Sequence, residues 1–140
     1  MTPPPLYLLH PAAVHFPIAL LSAGWVAGVL GRRREAAAQA ASWLLWAGTL
    51  SAWATLGLGL VAAKTAPHVP SAWETLNLHQ TLGWWTVGLF TALSLWRWRL
   101  GRKAEGYFLA AWLVACGVLL ATGFQGGELV FTHAMGVATE

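Results

Sequence analysis

The residues with the most chemistry in this chain of 140 are its 5 histidines. His10 and His15 stand in LHPAAVHFP, beside Pro11 and Pro17, where a long apolar run begins; His79 sits in LHQTLGW, His133 in GGELVFTHAMGV and His68 in APHVP. Imidazole serves as a haem or metal ligand, a proton relay or a plain hydrogen-bond partner. Residues five apart on a regular helix are turned about 140° from each other. His10 and His15 therefore point to different partners rather than to one shared ion. The single cysteine, Cys116, excludes a disulfide, a C-x-x-C metal site and the C-x-x-C-H attachment of a c-type haem. Any haem is then held without a covalent tether.

The composition sets the surroundings of these side chains. Hydrophobic residues make up 57% of the chain and charged ones 9%, against about 25% charged in a soluble domain. Such a surface in water would be one large apolar patch, so the lipid reading prevails. The net charge of +3 does not point to nucleic acid, because the basic residues other than Lys64 fall in two short clusters, Arg32–Arg34 and Arg97–Lys103. No Gly-rich phosphate loop and no aromatic-interleaved basic surface accompanies them. MTPPPLYLLHP lacks the basic start and small-residue cleavage site of a signal peptide, so the first apolar segment is expected to stay in the protein.

A hydrocarbon layer of about 30 Å needs roughly 20 apolar residues in a helix. Four runs qualify, at about 11–31, 43–63, 72–96 and 107–125, which predicts an all-α, four-helix transmembrane bundle in one domain. The first and third connections carry the arginine clusters. The positive-inside rule therefore places both termini on the extracytoplasmic side. Trp43, Trp46, Trp73, Trp96 and Trp98 fit an interfacial belt. SAWE, from Ser71 to Glu74, reads as a capping box for the third helix, and Gly123, Gly126 and Gly127 read as a left-handed stop for the fourth. The tail from Glu128 would then fold back over the bundle mouth.

Length decides how the first helix begins. From Pro17 to Gly31 it would reach only about 22 Å; from Pro11 it reaches about 31 Å. Pro11 thus belongs to the first turn, and Pro17 becomes a kink that frees the carbonyl of Ala13. Gly24 and Gly28 form a GxxxG that permits close helix packing.

With this topology all five histidines lie at one end of the bundle. His68 reads as solvated loop, while His10 and His133 suit a cap or an interfacial hydrogen bond as well as a ligand role. His15 and His79 lie within apolar runs, where an unpartnered imidazole is costly and a functional role is the default. A bis-histidine b-type haem needs imidazoles from facing helices on opposite faces of a flat ring. His15 with His79 would make one such pair, with Gly83 leaving room for the ring, and His10 with His133 a second. Zinc or copper is the competing chemistry, with three or four of His10, His15, His79 and His133 and Glu128 in support. The H-x-x-x-H and H-E-x-x-H spacings that would single out a metal site are missing. A third reading is a cofactor-free scaffold whose histidines form a hydrogen-bonded cap with Glu128. Trp25, Trp53, Trp84, Trp85 and Trp112 would suit pocket walls but read first as packing, and Cys116 as an inert apolar residue.

LHPAAVHFPIALL, LHQTLGW and GFQGGELVFTHAMGV together resemble a family of small bacterial membrane proteins catalogued as domain of unknown function 2231. The resemblance spans nearly the whole chain and carries to His10, Pro11, His15, Phe16, Pro17, His79, Gly126, Gly127, Glu128, Leu129 and His133. Phe131 replaces the usual tyrosine and Ala134 the usual glycine, so no role rests on a phenol hydroxyl there. Similar proteins are sometimes joined to Rieske-type iron–sulfur or c-type cytochrome domains, which implies an electron-transfer setting and ranks haem above zinc. The expectation is an electron carrier rather than a hydrolase or transferase. It would hold one or two haem b groups and pass electrons from a quinol donor to an extracytoplasmic cytochrome c or iron–sulfur protein.

Overall fold

The protein, seen in a computed structural model that describes residues 6–135, is a helical bundle with no strand among the described residues. Met1–Pro5 and the last residues of the tail motif, Gly136 and Val137, lie outside them. A 3-10 turn at Leu6–Leu8 leads into α1 (Leu9–Ala13) and α2 (His15–Leu30), followed by α3 (Glu35–Thr65), α4 (Trp73–Leu100) and α5 (Glu105–Phe131). α1 and α2 form one rod: Val14 between them keeps right-handed helical angles, and its N–H bonds the His10 carbonyl at 3.1 Å. Pro17 has no N–H to offer the Ala13 carbonyl, as expected, and that carbonyl instead accepts the Thr55 hydroxyl at 3.4 Å.

Helices α3, α5 and the α1–α2 rod are long and apolar enough to cross a membrane. α4, with 28 residues, reaches about 42 Å at 1.5 Å per residue. Its polar content, with Glu74, Asn77, His79, Gln80, Arg97 and Arg99, lowers its mean hydropathy. The helices outrun the apolar segments because the backbone stays helical through the polar flanks at the interface.

Two local expectations fail. Ser71 lies in a 3-10 turn at Pro70–Ala72, and α4 begins at Trp73 with no side-chain cap bond, so SAWE does not close a capping box. α5 also runs straight through Gly123, Gly126 and Gly127 to Phe131, so these glycines do not stop the helix. Their lack of a side chain serves close approach instead: a Cβ on Gly123 would touch Ile18, and one on Gly126 would meet His79.

The core is Leu21, Leu45, Phe90, Phe108, Trp112 and their neighbours, drawn from four helices. Gly24 and Gly28 do permit close packing: a Cβ at Gly24 would lie 2.8 Å from Trp112, and one at Gly28 would lie 2.8 Å from Leu109. Trp96, assigned to the interfacial belt, instead packs edge-on against Phe108 with ring centres 5.7 Å apart. Trp43, Trp73 and Trp98 are exposed to the surroundings of the bundle.

The end opposite the histidines is pinned by charge. Arg97 is buried, donates to both carboxylate oxygens of Glu105 at 3.0 Å, and lies 4.1 Å from the centre of the Phe108 ring. Arg102 bonds Glu35 at 2.9 Å and the Gly31 carbonyl at 2.7 Å, tying the two arginine-bearing turns together.

Candidate functional site

The histidine end is built from the start of the α1–α2 rod, the end of α3, the start of α4 and the end of α5. His10 donates from Nδ1 to the carbonyl of Thr55 on α3 at 3.0 Å. His79 donates from Nδ1 to the carbonyl of Thr122 on α5, also at 3.0 Å. A carbonyl can only accept, so in the neutral form each ring carries its proton on Nδ1 and keeps the lone pair on Nε2. That is the arrangement in which a ligating histidine is usually anchored. The two ring centres are 6.0 Å apart with planes at 73°.

Each ring rests on a glycine. A Cβ at Gly59 would lie 2.8 Å from Cε1 of His10, and a Cβ at Gly126 would lie 3.1 Å from Cε1 of His79. The first distance is one that real Cβ atoms do not show, so any larger residue at Gly59 must move the ring. Beside the pair opens a cavity of about 680 Å³ with a predominantly apolar wall that includes Val14, Ile18, Leu56, Gly83 and Leu119. Its volume falls in the ~300–1,000 Å³ range of sites for small molecules and cofactors.

The structure brings together His10 and His79 rather than His15 and His79. His15 is exposed, and its Nδ1 bonds only the Ala12 carbonyl of its own rod at 3.3 Å. His10 packs against α3, whereas His15 keeps to its own rod at the exposed edge of the cavity, in keeping with different partners for the two. His133 does not meet His10; its Nε2 lies 3.4 Å from the Thr75 hydroxyl. His68 is exposed and packs loosely on Trp73, with centres 6.3 Å apart. Glu128 is half-buried on α5 and joins none of these contacts.

Among the described residues no group of three or more His, Cys, Asp or Glu side chains is placed to hold a metal ion. The compact three- or four-histidine cluster of the zinc or copper reading is therefore not assembled there. None of Trp25, Trp53, Trp84, Trp85 and Trp112 lines the cavity. Trp112 and Trp25 spend their indole N–H groups on the carbonyls of Leu21 and Leu109, at 3.2 and 3.0 Å. Cys116 is buried and unpaired with any other cysteine.

Gly59, Thr55 and Thr122 carry the site and did not stand out in the sequence. A signal was available, since LHP and LHQ each precede a T-x-x-x-G, Thr55–Gly59 and Thr122–Gly126, on the next long helix.

Long apolar helices around a polar, histidine-bearing mouth define the class: a polytopic helical membrane protein. The family model described as "Predicted membrane protein (DUF2231)" matches residues 7–139, and the chain belongs to that family. Searches of curated proteins and of solved structures find no match to this sequence.

Proposed function

We propose that this chain is a b-type, cytochrome-like electron-transfer protein of the bacterial cytoplasmic membrane, binding one haem between His10 and His79 near the extracytoplasmic face. The observation that carries the reading is the His10–His79 pair itself, two anchored imidazoles 6.0 Å apart at the rim of an apolar cavity. With each nitrogen about 2 Å from a metal, two imidazoles would have ring centres about 6 Å apart if they faced it from opposite sides. The haem would supply the redox centre. The chain's own work is to fix both rings through the carbonyls of Thr55 and Thr122 and to keep water from the macrocycle with its apolar wall.

Two protein ligands would suffice to hold a haem iron, whereas a structural zinc site takes four. This favours haem over zinc for a two-histidine site. The arginine-bearing turns suit the cytoplasmic side, so the haem would lie near the outer face. A quinol donor in the bilayer and an extracytoplasmic cytochrome c or iron–sulfur acceptor fit that placement.

The test is an absorption spectrum of the detergent-purified protein, as isolated and after haem titration. A Soret band with the sharp reduced α-band of a six-coordinate haem is expected, and His10→Ala or His79→Ala abolishes the six-coordinate form. No Soret band after supplementation overturns the reading. Stoichiometric zinc or copper in its place would favour the other metal chemistry. A cofactor-free scaffold draws on the T-shaped contact of the two rings, an ordinary packing mode. It predicts neither chromophore nor metal.

A further inference from the structure

The two histidine seats are built the same way, and the likeness extends through the bundle. The register shift that carries His10 onto His79 also carries Pro17, Leu21, Gly24 and Gly28, the buried residues of α2, onto Thr86, Phe90, Leu93 and Arg97, all buried in α4. The shift that carries Thr55 onto Thr122 carries Gly59 onto Gly126. It also carries Ala41, Leu45, Gly48, Thr49 and Ala52 onto Phe108, Trp112, Ala115, Cys116 and Leu119, again all buried.

Hydrogen bonds repeat under the same shifts. Thr49 donates to the Phe90 carbonyl at 3.4 Å, and its counterpart Cys116 points its Sγ at the Leu21 carbonyl, the counterpart of Phe90, at 3.9 Å. The hydroxyls of Thr55 and Thr122 reach matching places by different chemistry. Thr55 bonds the Ala13 carbonyl that Pro17 leaves free, at 3.4 Å, while Thr122 meets the hydroxyl of Thr86, the counterpart of Pro17, at 2.9 Å. α2 and α4 run in one direction and α3 and α5 in the other, so the axis relating the halves lies along the bundle.

We propose that the chain is two equivalent helical hairpins about a pseudo-twofold axis passing between His10 and His79, and that Thr55–Gly59 and Thr122–Gly126 are matched positioning seats for one ligand centred on that axis. The metal-centred identity of that ligand rests on the function proposed above; the equivalence of the seats does not. In each seat the threonine carbonyl takes the Nδ1 proton and the glycine four residues on leaves room for Cε1. Both Nε2 lone pairs are thereby left for the shared occupant.

The experiment uses the full-length, haem-free protein in detergent, with ¹⁵N-labelled histidine side chains read by NMR, followed by haem titration. His10 and His79 are both expected as the Nδ1–H tautomer. Gly59→Ala should disturb chiefly His10, and Gly126→Ala chiefly His79. Each should weaken haem binding by roughly 10- to 100-fold, the usual loss on disturbing the partner that orients a ligating histidine. Gly57→Ala and Gly117→Ala are the controls, because a Cβ at either glycine meets nothing within 4 Å. An Nε2–H tautomer at either ring, or Gly59→Ala and Gly126→Ala behaving like the controls, overturns the proposal. Matched tautomers and matched glycine effects without haem binding would uphold the two seats and overturn the haem reading alone.

Discussion

His10 and His79 come from helices of different halves of the chain, yet their rings meet 6.0 Å apart, each anchored to a backbone carbonyl at 3.0 Å. Side-chain partners would add rotamers of their own to the positions of these rings. Helix carbonyls do not, since each is fixed by the regular ladder around it. The pair is thus held by backbone on two sides, a rigid arrangement that suits the shared ligand proposed for them.

That arrangement separates the two histidines of LHPAAVHFP. His10→Ala removes a ring of the pair, whereas His15→Ala removes an exposed one whose single bond, at 3.3 Å, is to its own rod. The absorption spectrum of haem-loaded protein should lose its six-coordinate form in His10→Ala and stay unchanged in His15→Ala. A six-coordinate form that survived His10→Ala and vanished in His15→Ala would reverse the assignment.

Gly48 reports on packing away from the site. A Cβ there would lie 2.5 Å from Cδ2 of the fully buried Leu21. Gly48→Ala should therefore destabilise by about 1–3 kcal/mol through overpacking. Gly57→Ala, on the same helix but facing open space, should change stability little. Thermal unfolding of both variants in one detergent makes the comparison, and equal midpoints would refute it.

At the opposite end, Glu105→Gln leaves the Arg97 guanidinium, only 8% exposed, without its carboxylate. Breaking a buried pair costs about 3–5 kcal/mol, and the 17% exposure of Glu105 points to the lower part of that range. Arg97→Met combined with Glu105→Gln should recover part of the loss, because no charge is then stranded. Chemical unfolding of the two single variants and the double variant tests this; strictly additive losses would argue against a coupled pair.

Much of this was legible in the residues. Apolar run lengths gave the bundle, Pro17 gave the free Ala13 carbonyl, and the GxxxG at Gly24 and Gly28 gave a close helix contact. The end of α5 was misread because glycine carries the same letter whether it stops a helix or admits a neighbour, and only the position of His79 shows which applies at Gly126. The capping box failed because Pro70 fits a 3-10 turn as well as the lead-in to an α-helix, and the turn absorbs Ser71. The choice of His10 over His15 turned on which face of the rod packs against α3. Helical spacing says that the two diverge without saying which one faces inward. The hairpin repeat is nearly invisible by identity, since Pro17 stands for Thr86 and Thr49 for Cys116. What the halves share is burial and bonding.

Pro17 links the α1–α2 rod to the site. Without an N–H it cannot bond the Ala13 carbonyl, which the Thr55 hydroxyl takes at 3.4 Å, and Thr55 is also the residue whose carbonyl holds His10. Pro17→Ala restores a donor to the rod, so the Ala13 carbonyl can bond within its own helix in competition with the Thr55 hydroxyl. Thr55 released from the rod would no longer hold its own carbonyl against His10, while His79 keeps its seat on α5. The folded state should survive, because helix continuity favours it. The His10 ring should lose its uniform Nδ1–H tautomer while that of His79 is kept, and haem affinity should fall roughly as in Gly59→Ala, by 10- to 100-fold. Histidine NMR on the haem-free variant, with haem titration beside it, reads both effects; an unchanged His10 signal would mean that the seat holds without the bond from Thr55 to Ala13.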